Sequence, residues 1–184
     1  MFAVFSYITP TLVHVAGIPE QAVPFVICVF GAGMVTGNVV GPRFADRALL
    51  PTIGWALVWN AAVLALFSVA VHNAWTAVPA TFLVGTMFAA GPALQTRLMD
   101  VGKEAQVLVA ALNHSAFNVA NALGAWLGGV AIAGGYGWAS TGFLGAALAL
   151  GGIAVFAVSV ALERTEPRPS AERTIRRAPA PAVP

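Results

Sequence analysis

From Ala48 to Thr96, and again from Ala105 to Leu162, the chain contains no Asp, Glu, Lys or Arg. A water-exposed fold needs charge along its surface, and about a quarter of its residues normally supply it. Here 9% of 184 residues are charged and 59% are hydrophobic. Segments this apolar dissolve in hydrocarbon, where a helix satisfies its backbone N–H and C=O groups internally. The expectation is an all-α membrane protein.

Polar, glycine and proline punctuation cuts the sequence into six hydrophobic segments, approximately 1–16, 22–42, 52–71, 75–98, 105–133 and 137–161. A spanning helix needs about 20 residues, so the first segment is marginal and the fifth is over-long. MFAVFSYITPTLVHVA has no basic leader and reads as a membrane segment rather than a signal sequence. All nine Lys and Arg residues fall on one side of a six-span topology: Arg43 and Arg47, then Arg97 and Lys103, then Arg164, Arg168, Arg173, Arg176 and Arg177. The positive-inside rule makes that side cytoplasmic, which places the C-terminus inside. Residues 162–184, rich in Pro, Arg and Ala without apolar periodicity, are expected to be a disordered cytoplasmic tail that touches lipid headgroups and no nucleic acid.

Enzymatic chemistry finds little to work with. Cys28 is the single cysteine, so there is neither a disulfide nor a thiolate metal cluster, and the three histidines are scattered. No phosphate-binding glycine loop ending in Lys-Ser/Thr occurs, and no paired acids or nucleophile–base arrangement appears. The expectation is a protein with no catalytic residues, no metal and no cofactor.

What the segments do carry is small and amide side chains. Gly33, Gly37 and Gly41 recur every fourth residue on the second segment, and Gly124 and Gly128 repeat the spacing on the fifth. Such stripes let helix backbones approach where lipid provides no hydrophobic drive, so they read as packing surfaces. Pro10 and Pro92, in the first and fourth segments, each precede a Leu by two residues, consistent with a three-plus-three inverted repeat whose prolines lie at opposite depths. Tyr7 lies three residues before Pro10 and Gln95 three after Pro92.

The fifth segment reads ALNHSAFNVANALG from 111 to 124. At 100° per residue His114, Asn118 and Asn121 fall within about 60° of one another, while Asn113 points about 100° away. Unpaired amides cost several kcal/mol in hydrocarbon, so the stripe is expected to face protein or water. His114 is either a satisfied interior histidine or a proton carrier, because an imidazole changes charge within the physiological pH range. Tyr7, Gln95, His114, Asn118 and Asn121 are the candidate solute-binding residues; interhelical hydrogen bonding is the alternative use for each. Trp55, Trp75 and Trp138 lie near segment ends as interface anchors, and Trp59 and Trp126 lie deeper.

GPRFADRALLP, after the second segment, resembles the cytoplasmic-loop motif G-x-L-A-D-R-x-G-R-R/K of the major facilitator superfamily, with Phe44, Ala45, Asp46 and Arg47 matching its centre. NHSAFNVANALGAWLGG, 113–129, is similar to the eleventh helix of bacterial members related to drug and arabinose efflux permeases. The resemblance covers roughly residues 1–161 and implies a six-transmembrane-helix bundle, half of the superfamily fold, similar to helices seven to twelve. It implies that Asp46 caps or pairs at a helix terminus, with Arg47 beside it, and gates one end of the transporter. It further implies transmembrane transport of a small organic solute, neutral or weakly cationic, by proton-coupled efflux as an antiporter. The second wall would come from a missing six-helix half or a homodimer partner. A membrane protein that only binds other helices, or an inactive truncated transporter, is the alternative.

Overall fold

The computed structural model describes residues 1–102 and 104–165. It is helical throughout these segments, with eight α-helices: α1 (Phe2–Phe5), α2 (Ile8–His14), α3 (Val23–Ala45), α4 (Leu49–Ala70), α5 (Ala74–Thr86), α6 (Ala90–Val101), α7 (Gln106–Ala131) and α8 (Ser140–Thr165). Five helical stretches are long and apolar enough to cross a membrane, the third of them comprising α5, a 3-10 turn at Met87–Ala89 and α6. The product is an all-α, multi-pass bundle.

The first and fourth segments are interrupted, and proline accounts for both interruptions. A proline lacks the N–H that would bond the carbonyl four residues back, and its ring crowds that carbonyl. For Pro10 the residue four back is Ser6, where α1 ends and Tyr7 takes φ −117° and ψ 15° before α2 begins. For Pro92 it is Phe88, inside the 3-10 turn. The expected single helix over 1–16 is therefore two short helices. Pro42, in contrast, is accommodated: α3 continues past the expected limit at 42 to Ala45, with Asp46 N–H bonding Pro42 O at 2.8 Å. Helix α8 extends to Thr165, so 162–165 of the expected disordered tail are helical, and 166–184 lie outside the described residues.

Packing follows the small residues. Helices α3 and α5 meet at Gly33, Gly37 and Gly85: a Cβ on Gly33 would overlap Phe82 O, and one on Gly85 would overlap Phe30 O. With α1, α2 and α4 they enclose an apolar core that includes Val4, Leu12, Phe30, Phe67 and Val84. The Phe5 and Phe30 rings stack in it at 4.8 Å. Helix α8 lies on α4 through Gly142 and Gly145, set against Ser68 and Leu64, and Ser68 Oγ donates to Ala139 O at 2.8 Å. Trp55 and Trp75, 75% and 89% exposed, stand on the outside as interface anchors should.

Helix α7 is least covered over its N-terminal half. Only Gly124 and Gly128 are fully buried along it, Gly124 against Ala3 of α1 and Gly128 against Ala3 and Tyr7. That leaves the half carrying the amides open.

Candidate functional site

The polar stripe stands on this open half. His114 and Asn118 are exposed and Asn121 is half-buried where α1 begins to cover the helix. They share one direction because α7 is continuous from Gln106 to Ala131, with no proline to break its periodicity. The described residues of the bundle supply these three side chains with no hydrogen-bond partner. The stripe lies on a surface rather than in an enclosed cavity, and an open recess at the start of α7, beside Glu104 and Leu108, does not include it.

Tyr7 and Gln95 reach the same helix but not the stripe itself. Tyr7 Oη donates to Ala125 O at 2.9 Å. Its ring lies in a notch that exists because residues 128 and 129 are glycines: a Cβ there would be 2.9 Å from Tyr7 Cε2 and 2.7 Å from Tyr7 Oη, respectively. Gln95 Oε1 accepts from Asn113 Nδ2. Both candidate side chains are thus engaged between helices. Asn113 was set apart from the stripe by its angle on the helical wheel, and that same angle turns it toward α6.

Other polar contacts were not legible from single segments. Trp59 Nε1 donates across to Thr86 Oγ1 at 2.9 Å, and Thr86 Oγ1 donates to Leu83 O at 2.6 Å, at the point where α5 tightens into the 3-10 turn. A signal for the α5 seam did exist, since Ala77, Thr81 and Gly85 are small, buried and spaced by four. Trp138, expected as an anchor, also meets Tyr7 at 6.3 Å and stacks on His14 at 6.1 Å.

The loop-motif residues lie where α3 ends. Asp46 is the C-cap of α3, exposed at the negative end of that helix. Helix α4 starts after Ala48, which provides no side-chain cap. Arg43 Nη1 donates to Val39 O, one turn back on the same helix, at 2.5 Å, and Arg47 is exposed. Gly41 is buried on the same face of α3 as Gly33 and Gly37.

Asn60 on α4 carries a buried Oδ1 without a partner. An unsatisfied buried acceptor costs about 1–3 kcal/mol. Asn60→Leu, similar in size and free of that cost, is expected to raise the unfolding midpoint in detergent by the equivalent of about 1 kcal/mol; an unchanged or lower midpoint would assign the amide a partner.

Comparison with known proteins agrees with this architecture. The family model described as Major Facilitator Superfamily matches residues 1–184. The chain is 33% identical over 150 residues to the inner membrane transport protein YdhP of Escherichia coli (strain K12), covering 81% of this chain and 39% of that protein. It is 34% identical over 146 residues to the uncharacterized MFS-type transporter YfhI of Bacillus subtilis (strain 168), covering 77% of this chain and 36% of that one. With the probable sugar efflux transporter of Pasteurella multocida (strain Pm70) it shares 28% identity over 156 residues, 84% of this chain and 38% of that protein. The chain thus spans about two fifths of the length of these relatives.

Proposed function

The chain belongs to the major facilitator superfamily, whose members are transporters rather than enzymes, and on that premise we propose that its bundle forms one wall of a transporter for a small, neutral or weakly cationic organic solute. The observation that carries the reading is the open stripe of His114, Asn118 and Asn121 on α7. Amides and an imidazole left facing lipid would be costly, and facing a solute path they are useful. No Asp, Glu, Lys or Arg occurs between Ala105 and Leu162, so the wall offers hydrogen bonds without a fixed charge. That favours a solute of low charge.

His114 is the ionisable group of the stripe and serves as the proton-coupling residue of an efflux antiporter. Tyr7 and Gln95 shape the path from its two flanks. The cationic connections lie at the cytoplasmic face of the inner membrane, together with the C-terminus, Asp46 and Arg47. The opposite wall is a second six-helix half, in keeping with relatives more than twice as long, or a second copy of this chain.

Solute counterflow in proteoliposomes tests the proposal, using the chain alone and co-reconstituted with a six-helix first half. Exchange that acidifies or alkalinises the lumen in step with solute movement is the expected result. Absence of exchange in both preparations rejects transport and leaves a membrane protein that only binds other helices.

A further inference from the structure

The two prolines that interrupt the bundle have a shared consequence on α7. The break at Ser6–Tyr7 places Tyr7 so that its hydroxyl bonds Ala125 O, and the break at Met87–Ala89 starts α6, whose Gln95 accepts from Asn113. Both interrupted spans are therefore tied to one continuous helix, at points twelve residues apart (125 − 113), about 18 Å along its axis. His114, Asn118 and Asn121 all lie between these two ties.

We propose that Tyr7 and Asn113 are positioning residues that couple the two interrupted spans through α7 and jointly set how far the stripe is open. Each tie adds one side-chain hydrogen bond to the packing beside a proline break, where a helix bends most easily because the ladder already lacks a bond. Release of one tie lets its half-helix tilt. Helix α7 has no break between residues 113 and 125, so a displacement at one end is carried to the other rather than absorbed. The solute-facing role of α7 rests on the function proposed above, but the coupling itself needs no solute.

A double-mutant cycle on the full chain tests the coupling. The lone Cys28 is replaced by Ala, Asn121→Cys, at the half-buried end of the stripe, reports stripe exposure through its thiol-labelling rate, and His72→Cys, exposed after α4, serves as a separate control. Tyr7→Phe removes the hydroxyl and keeps the ring in its glycine notch; Asn113→Leu removes the other tie, and Gln95→Met repeats the cycle from the opposite partner should Asn113→Leu fail to fold. Each single change is expected to raise labelling at position 121, with the control rate unchanged. The double change should depart from the product of the singles by about threefold or more, beyond the roughly twofold scatter of independent sites. A smaller departure, or equal changes at the control site, overturns the proposal.

Discussion

Gly33→Ala is expected to destabilise the bundle by about 2–3 kcal/mol, the upper range for overpacking a well-filled interface. The added methyl would overlap Phe82 O and come within 3.1 Å of Gly85 Cα, both backbone atoms that no rotamer change can move aside. Helices α3 and α5 would have to separate, losing van der Waals contact and the close approach of Cα–H groups to carbonyls that glycine permits. Gly85→Ala should behave alike, because its methyl meets Phe30 O and lies 2.9 Å from Met34 N. Two residues away the outcome reverses. A Cβ on Gly31 meets nothing within 4 Å, so Gly31→Ala should be neutral or stabilising by up to about 1 kcal/mol through helix propensity. Reversible unfolding in mixed micelles compares the three variants directly. A Gly33→Ala protein as stable as Gly31→Ala would mean that the seam is not packed as described.

Under the proposed function, Asn118→Leu and His114→Leu are expected to produce the opposite dissociation: intact bundles in which solute exchange is roughly five- to thirtyfold slower. Both positions are exposed and unpartnered within the described bundle, so apolar replacement there removes no internal contact, and stability should change by no more than about 0.5 kcal/mol. A lost hydrogen bond to solute costs about 1–2 kcal/mol, which corresponds to roughly five- to thirtyfold in rate or affinity. The two substitutions should differ in pH response. His114→Leu should uncouple exchange from luminal pH, whereas Asn118→Leu should slow exchange while keeping the coupling. Proteoliposome counterflow with a trapped pH indicator reads both. Full activity in either variant would remove that side chain from the solute path.

Both predictions concern small or polar residues within apolar helices, and these are where sequence and structure contribute differently. The seam at Gly33 and Gly37 was legible because glycines repeat at helical spacing. Its opposite side was not, since Thr81 and Gly85 form a less conspicuous small stripe and periodicity does not say which helix meets which. Asn113 shows the limit most clearly. Its angle excluded it from the stripe, and nothing along α7 indicated that Gln95 would be waiting on that side.

The amino-acid sequence alone determined that this chain is an apolar helical bundle, which of its connections carry positive charge, and where prolines fall within its spans. These are local or solvent-driven properties: the transfer cost of charge into hydrocarbon, and the missing N–H and crowded carbonyl at each proline. The tertiary structure decided that Tyr7 occupies the glycine notch of α7, that Asn113 ties α6, that Asp46 stands at the end of α3, and that His114 and Asn118 remain uncovered. Side-chain chemistry specifies what a group is able to bond. Which partner arrives depends on how whole helices settle against one another, a sum over many weak contacts that no single segment contains.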